Sequence, residues 1–189
     1  MGFSKPKVWI GIVAFTAGLA LLFAGARAAR DAQGLAAFAQ MATVFQHARC
    51  MNCHRSDLVR VRDDARAHIP RVLPGEDGAG VGGMRCVICH RDANNEMTRI
   101  PGAPGWRMPP YLMSLDGLEP ADICDNLKDR DINGDRSLKE VIAHLKHDHL
   151  VRWSWSPGKG RSPPPISYSA FLRYANAWAD ADAPCPPAG

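Results

Sequence analysis

Nowhere in the 189 residues do apolar and polar positions alternate for any length. That absence argues against half-buried strands and leaves helices and loops as the building material. Charge of one sign is also scarce. The formal net charge is +4, with no concentrated basic patch of the kind a nucleic-acid surface requires. Aromatic residues make up only 7%, although five of them are Trp. No βαβ pattern is present, and nothing repeats strongly along the chain except one five-residue motif described below.

What is there describes an ordinary globular chain with long loops. Hydrophobic residues account for 46% and charged residues for 22%. The 15 Pro and 17 Gly concentrate in the middle. The first 30 residues or so read as a targeting segment. Lys5 and Lys7 precede an apolar run, Val8 to Phe23, broken only by Thr16. Ala24-Gly25-Ala26 and Ala26-Arg27-Ala28 both resemble cleavage sites. The run predicts export with cleavage after Ala26 or Ala28, or retention as an N-terminal membrane anchor through residues 8–26; a span needs about 20 residues. Cleavage after Ala26 would remove both lysines and leave a charge of +2. Either outcome places the remainder in the periplasm. The expected organisation is a signal peptide or anchor over residues 1–28 and one domain over 29–189, long enough for one compact core.

Helical spacing of Leu35, Phe38, Ala42 and Phe45 predicts a helix from about Gly34 to Ala48. A second is expected over Pro120–Lys128, with Pro in its first turn. Ser137-Leu138-Lys139-Glu140 reads as a capping box, followed by the apolar face Leu138, Val141, Ile142 and Leu145. Tyr168, Phe171, Leu172, Ala175 and Trp178 define a last amphipathic helix. The predicted fold class is all-α.

The repeated motif is C-x-x-C-H, at Cys50-Met51-Asn52-Cys53-His54 and Cys86-Val87-Ile88-Cys89-His90. It is the attachment pattern of c-type haem. Two Cys one helical turn apart reach both vinyl groups of a porphyrin as thioethers, and the adjacent His presents a nitrogen to the iron. Two C-x-x-C pairs would also suit a four-Cys zinc site or a disulfide framework, but neither explains a His after each pair. A thioredoxin-like motif would require the missing βαβ context. The expected cofactors are therefore two covalently bound haem c groups, on Cys50, Cys53, Cys86 and Cys89, with His54 and His90 as proximal iron ligands. The motifs start 36 residues apart, too close for two independent domains, so both haems are expected in one fold, near each other.

Candidates for the distal ligands are His68, His144, Met113 and His147. His68 stands in the loop between the motifs, His144 and His147 about a turn apart beside an apolar helix face, and Met113 after the Pro109-Pro110 pair. A distal Met would raise the potential; a second His would lower it. Cys124 and Cys185 remain, and are expected to pair in an oxidising compartment. Asp129 to Glu140 fits a short calcium-loop pattern, but Arg136 and Ile132 are atypical in it, and Ser137 and Glu140 are already used by the capping box.

The chain resembles small periplasmic di-haem cytochromes labelled isoquinoline 1-oxidoreductase subunits. The resemblance rests on Arg49-Cys50, Met84-Arg85-Cys86, Ala93-Asn94-Asn95, Pro101-Gly102-Ala103-Pro104, Leu127-Lys128-Asp129 and Asn133-Gly134. It continues through His144, Leu150-Val151, Trp153, Trp155-Ser156-Pro157-Gly158, Trp178 and Cys185-Pro186. It implies an electron acceptor for a periplasmic molybdenum hydroxylase, whose own substrate and molybdopterin sites have no counterpart in this sequence. It places His at the positions of His68 and His144, and also at that of Arg107, where this chain departs from the pattern. Three functions follow as expectations: an electron carrier between redox protein partners, a haem enzyme or gas sensor with one open iron position, or an anchored electron-wiring subunit of a respiratory or photosynthetic complex.

Overall fold

In the computed structural model, the backbone is described for residues 7–55 and 68–189, and side chains from residue 22 onward. The positive start of the chain and much of its apolar run lie outside the described side chains. Residues 56–67 of the inter-motif loop lie outside the description altogether. Among the described residues there are eight α-helices and no strand, only an isolated bridge between Asn95 and Ile100. The all-α expectation holds.

The first helix, α1, runs from Lys7 to Phe45. The sequence suggested two separate segments here. Nothing between them stops a helix: residues 24–33 are Ala-rich and Pro-free, and Ala is the strongest helix former. The boundary expected at 28/29 thus falls inside a continuous helix. Its last turns bury Phe38, Met41, Ala42 and Phe45, the i, i+3, i+4, i+7 set of one helical face. Among the described residues, no helix is long and apolar enough to cross a membrane.

That face packs on α8 (Tyr168–Asp180). Phe38 lies 5.4 Å from Trp178, and Phe45 meets Phe171 edge-on at 5.7 Å. Each fully buried ring contributes about 1.5–3 kcal/mol by area. Gly34 sits where α1 crosses the turn after α8. A Cβ there would stand 2.6 Å from Pro184 Cγ and 2.7 Å from the Ala181 side chain. Gly34→Ala is expected to destabilise by about 1–3 kcal/mol through overpacking, seen as a lower urea midpoint at unchanged slope.

Between them lie α2 (Ala48–Met51), α3 (Cys86–Cys89), α4 (Pro120–Lys128), α5 (Arg130–Asn133), α6 (Leu138–His147) and α7 (His149–Trp153). Helix α4 has the expected bounds, with Pro at its start. The capping box on α6 forms: the Ser137 side chain takes the Glu140 amide, and the Glu140 carboxylate takes the Ser137 amide. Helix α6 ends at His147, and the carboxylate of the next residue, Asp148, caps α7. The Tyr168 hydroxyl of α8 donates to the last carbonyls of α6, Lys146 at 2.8 Å and Leu145 at 3.0 Å. Val141 and Leu145 join Ile123, Leu127, Phe171 and Trp178 in the core. Cys124 and Cys185 are joined as a disulfide, with Cα atoms 5.5 Å apart, which ties α4 to the C-terminus.

Candidate functional site

Each C-x-x-C-H motif closes as a single helical turn. The amides of Cys53 and His54 both donate to Cys50 O, at 3.1 and 3.0 Å, and the His90 amide donates to Cys86 O at 2.9 Å. One turn of helix brings the two thiols of a motif to one side and delivers the His just beyond.

The two histidines are then held in the same way. His54 Nδ1 donates to Met113 O at 2.9 Å, and His90 Nδ1 donates to Pro101 O at 2.8 Å. With Nδ1 engaged, Nε2 is the nitrogen available to a ligand-binding space. Around His54 the pairing extends further. The Leu115 amide donates to His54 O at 2.9 Å, and Arg55 pairs with Asp116 at 3.0 Å. Residues 113–116 thus grip the end of the first motif.

Each motif opens into its own cavity. The first, of about 450 Å³, is walled by Cys50, Cys53 and His54 on one side and by His144 and core side chains on others. The second, of about 720 Å³, is walled by Cys86, Cys89, His90 and His68. Both volumes fall in the range of about 300–1,000 Å³ usual for cofactor sites. The cavities adjoin, because Arg49, Cys53, Pro74 and Met108 line both. Five cations line the second cavity, Arg49, Arg85, Arg99, Lys159 and Arg161, and no Asp or Glu does so among the described residues.

His144 faces the first cavity with Nδ1 3.4 Å from Asp148 Oδ2. Burial pushes the Asp148 carboxyl up, but the bond and charge of His144, with the amides of Leu150 and Val151, outweigh it and hold the group at about 2. His68 faces the second cavity. Its Nδ1 donates to Pro70 O at 2.6 Å, and its ring centre lies 5.9 Å from that of His90. Burial lowers the pKa of His54 to about 4 and also lowers that of His90, so both imidazoles are neutral near pH 7, the form that binds metal. Burial likewise pushes the thiols of Cys50 and Cys53 up to about 12 and 11.

The other distal candidates are placed differently. Met113 is buried in the wall of the first cavity, and its own carbonyl holds His54, so its backbone belongs to the His54 side. His147 is exposed on α6 and lines neither cavity. Arg107, where the resemblance expects His, lines the first cavity. The calcium-like loop is spent on structure. The Asn133 amide group bonds Leu127 O, Arg136 O and the Arg136 amide, and Asp135 pairs with Arg130. Among the described residues no three His, Cys, Asp or Glu side chains converge to hold a bare metal ion, so the four cysteines of the motifs do not gather into a zinc site.

Sequence reasoning missed a second group of residues. Trp106 stacks flat on His90, with centroids 4.4 Å apart and planes 6° from parallel. Trp153 meets Trp106 edge-on at 5.0 Å, and the buried Arg49 lies 5.9 Å from the Trp153 ring centre. In the sequence Arg49 and Trp153 stood only within the family resemblance, without a role, and Trp106 only in the share of Trp among few aromatics. Compared with family models, curated proteins and solved structures, the chain finds no match.

Proposed function

We propose that this chain is a c-type cytochrome with two covalently attached haems, and that it carries electrons between protein partners rather than transforming a substrate. The observation that carries the reading is the repeated arrangement of His54 and His90. Each follows a Cys pair wound into one turn, each has Nδ1 fixed on a backbone carbonyl, and each faces a cavity that also presents a second His. A metal-ligating His ordinarily has its other nitrogen held in this way.

The side chains present fit the group. Cys50 and Cys53 would hold one haem, and Cys86 and Cys89 the other. His54 and His144 would hold the iron of the first group, and His90 and His68 that of the second. The ring centres of His68 and His90 lie 5.9 Å apart, so both rings could reach one group held in the second cavity. When bound, each haem iron supplies a one-electron couple. A second His in each cavity could take the place a substrate or gas would need, which favours a carrier over an enzyme or gas sensor. Because Cys53 lines both cavities, the two groups would lie close together.

The disulfide and the export-like start fit a periplasmic location, with the protein either free or tethered through residues 8–26. Kinship with the di-haem isoquinoline 1-oxidoreductase subunits, and service to a periplasmic molybdenum hydroxylase, belong to the same proposal.

The test is intact mass together with a spectroscopic redox titration of the purified protein. Two covalently added tetrapyrroles and two low-potential couples are expected; a polypeptide of unmodified mass would refute the reading. His144→Ala is expected to open the first iron, so that the reduced variant binds carbon monoxide at one haem while the parent binds little. Rapid, complete binding by the parent would instead favour the sensor or enzyme.

A further inference from the structure

The peptide unit that holds His90 is itself held, at its far end, by a side chain. His90 Nδ1–H donates to Pro101 O at 2.8 Å. The N–H of that same planar peptide belongs to Gly102 and donates to Asn94 Oδ1 at 3.1 Å. Trp153 Nε1–H donates to the same oxygen at 2.8 Å. Asn94 Nδ2 donates to Ser156 O at 3.1 Å. Two donors on one atom and a carbonyl on the other fix which way the Asn94 amide points.

The loop is closed tightly around this relay. A Cβ on Gly102 would stand 2.2 Å from Ala93 O and 2.4 Å from Arg91 O, so only glycine lets residues 91–94 lie over the peptide. Among the described residues the first site has no such relay. There the peptide after Met113 sends its N–H, that of Ser114, to Leu112 O at 2.9 Å, a local backbone bond.

We propose that Asn94, supported by Trp153, is a positioning residue that sets the electron-donating strength of His90, and so lowers the potential of the second centre relative to the first. The inference rests on the di-haem reading above. An acceptor on the Gly102 N–H shifts electron density along the peptide to Pro101 O. That oxygen then draws harder on the His90 Nδ1 proton, because bonds in a chain polarise one another. An imidazole with a more strongly held proton is a better donor through Nε2, and a better donor favours oxidised iron.

The experiment uses the full-length protein with haem attached, as the parent and as Asn94→Ala and Asn94→Asp. Covalent haem is counted by mass, and both couples are followed in a potentiometric titration. The Cys86→Ala/Cys89→Ala variant identifies the first couple by retaining it. Asn94→Ala is expected to raise the second couple, by up to about tenfold in its equilibrium constant, or ~59 mV. Asn94→Asp is expected to lower it. Asn94→Asp carries the test if Asn94→Ala does not fold. The first couple should move much less in both. Two attached haems with the second couple unmoved, or with both couples moving together, would overturn the role of Asn94 and leave the di-haem reading intact. A protein carrying no tetrapyrrole would overturn both.

Discussion

Replacing both Cys50 and Cys53 with alanine is expected to cost the chain its fold, whereas the same change at Cys86 and Cys89 should leave the helical core standing with one haem. The difference follows from what walls each cavity. Val44, Phe45, Leu127, Val141, Leu145 and Phe171 face the first cavity and also form the hydrophobic core. None of the buried core side chains lines the second, whose walls are the short helices that carry Cys86, Cys89 and Trp153 and the loops around Trp106. A variant unable to retain the group that fills about 450 Å³ must collapse or keep a void. That space opens to solvent, so the cost is the apolar core surface left facing water, about 1.5–3 kcal/mol per side chain, and six such side chains rival the whole stability of a domain, about 5–15 kcal/mol. Losing the first site would also free residues 113–116, which are gripped through His54 and Arg55. Far-UV circular dichroism and thermal melts of the two double variants would decide it. Equal melting temperatures would show that the first cavity does not depend on its cofactor.

Much of this was legible in the sequence where local chemistry decides. Pro120, the Ser137–Glu140 box and the two C-x-x-C-H turns act over a few residues, and they appear as read. His68 and His144 stood out because they lie beside Pro or on an apolar helix face, and each faces a cavity. His147 matched His144 by type and proximity, but their three-residue separation on α6 left one facing the cavity and the other solvent. What no sequence pattern announces is a backbone acceptor. Met113 O and Pro101 O would serve equally from other residue types, and Met113 reaches His54 across 59 residues. Arg49, Asn94 and Trp153 stood in the sequence within the family resemblance, but their roles could not be read there, since those depend on which loop closes over which peptide. The long α1 was missed because apolar and amphipathic stretches were read separately, while the Ala-rich link between them has no stop signal.

Removing the disulfide, as Cys124→Ala/Cys185→Ala, is expected to lower stability by about 4 kcal/mol and the melting temperature by roughly 8–16 °C. The cross-link spans 61 residues, so it removes much loop-closure freedom from the unfolded chain. Its native surroundings add to the effect. Cys124 is fully buried in the core. The turn it secures carries three further contacts: Lys128 Nζ donates to Ala183 O at 2.9 Å, Trp178 Nε1 donates to Pro184 O at 3.0 Å, and Arg30 pairs with Asp182. Helix α4, anchored by that bond, also supplies Leu127 to the wall of the first cavity. Loosening should therefore reach the first centre before the second, because the second shares no wall with α4. Adding a reductant to the parent protein should reproduce the loss, while the double-alanine variant should not respond to it. If parent and variant melt together under oxidising conditions, the tie between α4 and the C-terminus contributes nothing to the fold.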